Sequence, residues 1–296
     1  MNIRDNGAMQ WLKNLLFRDK PSIPDTLWQA CVARLPFLDR LDDADLARLK
    51  ALCEDLLHRK TVTGAGGFLL SDEIAVIIAA QACLPVLNLS LDLYDDMAGI
   101  IVYPDAFIIP QTEVDEAGVV HEWQEPVSGE AIDAGGAVVL SWEDAEDVEV
   151  PGYNVVIHEF AHKIDMTTGV PNGYPPFFPD WHQNLDATEW RDVFSSAYED
   201  FHEHVELLES RLPEDFDDTI DAHAAYYDEL AADLPLDPYA ARHPAEFFAV
   251  ASEAFFVHPE PLALAYPDVF RLLKAYYRQD PLADTGRTRP QERYLH

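Results

Sequence analysis

One apolar run, interrupted by two histidines and a glutamate, constrains this chain more than any other stretch: Val155-Val156-Ile157-His158-Glu159-Phe160-Ala161-His162-Lys163-Ile164-Asp165. Val155, Val156, Ile157, Phe160, Ala161 and Ile164 leave little polar face, so the segment reads as a helix that has to be buried. Buried imidazoles and a buried carboxylate need partners or a metal. Residues four apart lie one above the other on a helix, so His158 and His162 can aim two imidazoles at a single point. That suits a zinc ion, which takes nitrogen at about 2.0–2.1 Å and accepts tetrahedral geometry. Glu159 stands about 100° round the helix from His158. It is badly placed to bind the same ion but well placed to reach a water held there. Two ligands and one general base from a single turn point to metal-assisted hydrolysis. Lys163 follows the second histidine and has to point away, because its ammonium would repel the cation.

Charge and cysteine usage narrow the setting. Of 296 residues, 54 are Asp or Glu and 20 are Lys or Arg, a formal net charge of -34. Phosphate backbones and anionic membranes attract Lys and Arg, so nucleic-acid and membrane binding are excluded as expectations. A hydrophobic content of 48% is too high for a disordered chain. Cys31, Cys53 and Cys83 are odd in number, widely spaced and set in apolar segments, which reads as buried thiols of a reducing compartment. No stretch has the pattern of a secretory signal or the length of a membrane span. The expectation is a cytoplasmic protein.

Along the chain, residues 1–20 read as an N-terminal arm or docking helix, 21–283 as a single domain and 284–296 as a tail. Helices are expected over 26–35, 42–58 and 74–84, the last capped by Ser71-Asp72-Glu73 and apolar nearly all round. Ile100-Ile101-Val102-Tyr103 reads as a buried strand, 112–135 as a loop or hairpin, and Ala137 to Trp142 as a strand. That last strand is either a sheet edge open to a peptide or an ordinary inner strand. After Asp165 the Gly- and Pro-rich stretch 169–179 forbids regular structure and reads as an ordered aromatic loop. Helices follow over 181–208 and 222–230. His182, His202 and His204 lie there and read as surface or core residues. The sum is an α+β chain, mostly helical, with a small sheet beside the metal-binding helix.

A third protein ligand is required, and the best region is 239–256. Pro244 suits a first helical position, and the helix from there to Val257 is apolar nearly throughout, with two carboxylates, Glu246 and Glu253, two turns apart on one face. Two carboxylates on one buried stripe suggest a shared cationic partner. One would bind the metal and the other would accept from a ligand imidazole; Glu246 could also simply favour a helix N-terminus. Spacing does not choose between them.

These segments resemble the Mlc titration factor A family of bacterial zinc metallopeptidases, itself distantly similar to the catalytic domain of anthrax lethal factor. The resemblance is carried by 156–165, by Asp237-Pro238-Tyr239-Ala240-Ala241 and by 244–256. Cys83-Leu84-Pro85-Val86-Leu87, Val102-Tyr103-Pro104, Val139-Leu140-Ser141-Trp142 and Tyr276-Tyr277-Arg278-Gln279-Asp280-Pro281-Leu282 add to it, so it runs from about Leu35 to Leu282. It implies a zincin-like fold and one zinc per chain, held by His158, His162 and Glu246, with Glu159 as catalytic base. It sets Tyr239 facing the site, where a phenol could donate to an oxyanion; a packing tyrosine is the plainer alternative. Glu253 or Asp165 would orient a ligand histidine. The implied activity is hydrolysis of peptides or small aminoacyl compounds, as in an aminopeptidase. A Mlc-like repressor is an implied partner, and a binding-type regulator of sugar-uptake genes, with the peptidase site secondary, is the alternative function.

Overall fold

The computed structural model describes residues 22–105, 107–114, 120–127, 129–131, 136–146, 152–213, 215–217 and 219–283, with the backbone alone for the strands between 107 and 131. The expected arm and tail lie outside the described residues. The chain gathers into two compact units. One holds the described residues up to Glu146 together with Asn154–Lys163; the other holds 152–153 and 164–283.

The first unit starts with α1 (Asp25–Val32), α2 (Asp43–Arg59) and α3 (Asp72–Cys83). Asp42 and Ser71 begin α2 and α3 by accepting from Asp45 N and Ile74 N, each offering a side-chain oxygen to an N–H that the helix leaves over. Every residue of α3 from Ala75 to Cys83 is buried, in keeping with its lack of a polar face. α3 is the centre of this unit, with α1 and α2 packed on it. All three cysteines are free and buried, and burial first, then the Glu73 carboxylate, pushes the Cys31 thiol up to about 12.

The main sheet has the order β1-β2-β6-β5, built from β1 (Thr61–Gly64), β2 (Gly99–Tyr103), β5 (Gly129–Ala131) and β6 (Val138–Ser141). β1, β2 and β6 are parallel, with Ile100 opposite Val62 and Val138. β5 runs antiparallel to β6. β6 is therefore an inner strand, and of the two readings of that segment the open edge is excluded. Its four residues are all buried, as befits a parallel strand covered on both faces. Trp142 leaves the strand and starts the short helix α4 (Trp142–Glu146). The hairpin is present as β3 (Phe107–Val114) and β4 (Val120–Val127), a separate antiparallel pair that begins earlier than 112.

The second unit is helical. Its long helix, α6, spans Ala187–Glu209, after the metal-motif helix α5 (Val155–Asp165) and the loop that leaves it. α6 starts at Ala187 rather than Trp181 because Asp186 is extended and its Oδ1 accepts from Thr188 N and Glu189 N, which fixes the first turn. Then come α7 (Asp221–Ala231), a 3-10 turn at Pro238–Ala241, α8 (Pro244–Val257), α9 (Pro259–Ala265) and α10 (Pro267–Tyr277). Proline at the first position of each of the last four elements presets φ where no N–H partner is lost. The core is aromatic: Trp190 stacks on Phe194 with centroids 4.2 Å apart, and Phe247, Phe248 and Tyr276 close round them. Each such ring contributes about 1.5–3 kcal/mol by leaving water. Among the described residues no helix is long and apolar enough to cross a membrane.

Candidate metal centre

α5 is held at its start by a buried chain of polar groups. Asn154 lies just ahead of the helix, and its Oδ1 accepts from Ile157 N at 2.9 Å. Its amide donates to Gln81 Oε1 at 2.6 Å, and the Gln81 amide donates to the Ala145 carbonyl at 3.3 Å. Gln81 is fully buried in α3 and Asn154 nearly so. This chain joins α3 to the beginning of the metal-motif helix and fixes its phase. Sequence reasoning did not assign either residue. The available signal was Gln81 itself, a lone long polar side chain in a helix otherwise apolar from Ile74 to Cys83. Phe160 packs edge-on against Tyr94 at 4.8 Å, and the Tyr94 hydroxyl donates to the Ala82 carbonyl.

The two histidines meet as their spacing requires. His158 Nε2 and His162 Nε2 are 3.1 Å apart, with ring centroids 4.7 Å apart and planes at 78°. A tetrahedral cation bonded to two imidazoles at about 2.0–2.1 Å sets their nitrogens about 3.3 Å apart, so the observed pair is close to that geometry. Glu246, on the first turn of α8, completes a cluster with them: one ligand atom from each of His158, His162 and Glu246 lies within 4.8 Å of the others. Glu253 is buried two turns further on and is not in that cluster. Two imidazole nitrogens and one carboxylate oxygen are a donor set that fits a zinc-like ion.

Glu159 is buried beside the histidines in sequence, only 4% exposed. Lys163 is equally buried and sends its ammonium to the Gly136 carbonyl at 3.3 Å, ahead of β6. A carbonyl dipole thus meets the charge that the sequence required to face elsewhere. Asp165, at the last position of α5, is fully buried and accepts from Asn172 N and Gly173 N, both at 2.7 Å. Tyr239 sits on the 3-10 turn ahead of α8, its N–H bonded to Asp237 Oδ1. It is 42% exposed, with the Arg242 guanidinium 4.9 Å above its ring. Tyr198 Oη and His202 Nδ1 both bond the Ala241 carbonyl, which pins the turn to α6.

Tyr239 and Arg242 line a cavity of about 800 Å³ together with Tyr153, Tyr227, Glu209 and Asp237. Burial first, and then the Glu209 and Asp237 carboxylates, push the Tyr227 phenol up to about 12. Among the described residues no other histidine is in the cluster. His182 is buried in the aromatic core, stacked on Tyr276, while His202 is half-buried and His204 exposed.

Comparison with known proteins places the chain among metallopeptidase relatives. The model of the family described as Glucose-regulated metallo-peptidase M90 matches residues 8–278. An uncharacterised protein of Synechocystis sp. is 34% identical over 278 residues, 93% of this chain and 90% of its own length. Mlc titration factor A of Pectobacterium atrosepticum is 34% identical over 257 residues, 86% of this chain and 87% of its own. Mlc titration factor A of Escherichia coli is 32% identical over 262 residues, 88% of this chain and 89% of its own.

Proposed function

The chain belongs to the glucose-regulated metallo-peptidase M90 family, and from that membership we propose that it is a zinc-dependent peptidase of aminopeptidase type. One observation carries the reading: the approach of His158, His162 and Glu246 to a common point. They would hold the ion and leave a fourth position for solvent or substrate. Zinc bound there would polarise a carbonyl and bring the pKa of a water towards neutrality. Glu159 takes a proton from the attacking water and gives it to the leaving amine. The Tyr239 hydroxyl donates to the oxygen on which charge develops. Glu206, Glu209, Asp228 and Asp237 outnumber Arg242 in the wall beside Tyr239. That surplus of negative charge suits the free ammonium of a peptide or aminoacyl substrate. A reducing, cytoplasmic setting accords with three cysteines that are buried and free.

A second reading rests on the name of the relatives, Mlc titration factor A: this chain binds a Mlc-like repressor and its peptidase site is secondary. Both are tested together. Zinc content is measured with and without chelator, and turnover is measured on aminoacyl and peptide chromogenic substrates. Glu159→Gln is expected to keep its zinc while turnover falls by about 10²–10⁴. Undiminished turnover in that variant refutes the role of Glu159. Full repressor capture by Glu159→Gln, with no hydrolysis by the native chain, favours the regulator.

A further inference from the structure

We propose that Gly173, anchored by Asp165, is a positioning residue for Glu246, a role that rests on the metallopeptidase reading above. Asp165 ends the metal-motif helix, and its buried carboxylate takes the N–H groups of Asn172 and Gly173 at 2.7 Å each. Bonds from backbone N–H groups to an ionised acceptor are the stronger kind. They hold the turn of the loop where α5 hands the chain on. The Gly173 carbonyl is held as well, by Trp190 Nε1 at 3.1 Å from the aromatic core. Gly173 is thus fixed on both sides of its own Cα.

That Cα lies against the start of α8. A Cβ at Gly173 would stand 2.5 Å from the Pro244 carbonyl oxygen and 3.1 Å from its carbon, and the residue has φ +80. Space and backbone each demand glycine here. Pro244 is the first residue of α8, and Glu246 is on that same turn. The surface of the loop therefore sets how far the first turn of α8 can advance. Ordinary contact begins near 3.4 Å, so a Cβ at 2.5 Å would have to push loop and helix apart by about 0.9 Å. Metal–ligand distances tolerate about 0.2 Å. A displacement several times that tolerance takes the Glu246 carboxylate out of register while leaving its chemistry untouched. Gly173 reaches the site only through the backbone of Pro244, which is why no residue-type motif marks it.

The test uses the full chain and two variants, Gly173→Ala and Asp165→Asn. Zinc affinity is read by competition with a chromogenic chelator, coordination by the visible absorption of the cobalt(II)-loaded protein, and folding by circular dichroism of the metal-free form. Both variants are expected to bind zinc about 10–100-fold more weakly, with altered cobalt bands and native helix content. Asp165→Asn, which introduces no clash, carries the test if Gly173→Ala does not fold. Zinc affinity within twofold of the native chain and an unchanged cobalt spectrum, in either folded variant, overturn the proposal even if thermal stability drops. A native chain that binds neither zinc nor cobalt overturns the metallopeptidase reading and this proposal with it. Native binding with unaffected variants overturns this proposal alone.

Discussion

Replacing Gln81 by leucine tests whether the start of the metal-motif helix is held from α3. The two side chains are similar in length, so the change takes away polarity more than volume. It removes the acceptor that the Asn154 amide has at 2.6 Å and the donor that the Ala145 carbonyl has at 3.3 Å. The second bond is long and contributes little. The first joins two buried groups, and depriving a buried donor of its acceptor costs about 1–3 kcal/mol. Leucine recovers part of this through added apolar contact, so the net loss is about 2 kcal/mol. For a chain of this size that lowers the melting temperature by about 4–8 °C. Asn154→Ala takes the same bond and also the helix cap at Ile157 N, a further loss of about 1 kcal/mol. Because the two residues share one bond, the double variant should fall short of the summed single losses by about 1 kcal/mol or more. Urea unfolding of the metal-free protein, followed by circular dichroism, reads all three. Additive losses, or a Gln81→Leu loss below about 0.5 kcal/mol, would show that the buried chain does not hold the helix.

Two further outcomes are expected. Tyr239→Phe should keep the zinc and lower turnover by about 10² or more if the phenol donates to the oxyanion; an unchanged rate returns the ring to its contact with Arg242. His182 gives a pH dependence that is independent of the metal. Its Nδ1 accepts from Phe178 N and its Nε2 bonds the Tyr276 carbonyl, which fits the neutral ring protonated at Nε2. Burial, aided by Arg278, holds its pKa below the ordinary 6.5, against the pull of the Tyr276 carbonyl. The unfolded chain thus takes up the proton first, so stability is full above about 6.5 and falls as the pH drops below it. Melting temperatures of metal-free protein between pH 7.5 and 5 should show that fall, and His182→Gln should flatten it. Parallel curves for the two proteins contradict the assignment.

Much of the architecture was legible because short-range physics decides it. The Ser71 cap, the apolar circumference of α3 and Pro244 at the first position of α8 each name an element or where it begins. The long helix was read too early because Trp181 and Leu185 fit a helical period, while the Asp186 side chain, bonding two N–H groups, sets the true start. Whether β6 is an edge or an inner strand could not be read from its own residues. That depends on β5, a three-residue strand pairing from the far side.

For the site, the four-residue spacing of His158 and His162 determined by itself that two imidazoles would share one face, because helical geometry is local. The sequence also placed Glu159 on the next face and required a third ligand from elsewhere. Spacing left Glu246 and Glu253 equal, since both fall on one stripe of one helix, and only the family resemblance favoured Glu246. Tertiary structure separated them: Glu246 lies in the cluster and Glu253 does not. The supports of the site were equally beyond sequence reasoning. Gln81 and Asn154 are 73 positions apart, and Gly173 acts on Glu246 through the carbonyl of Pro244. Contacts of that kind carry no local periodicity, and they exist only once distant segments have been packed together.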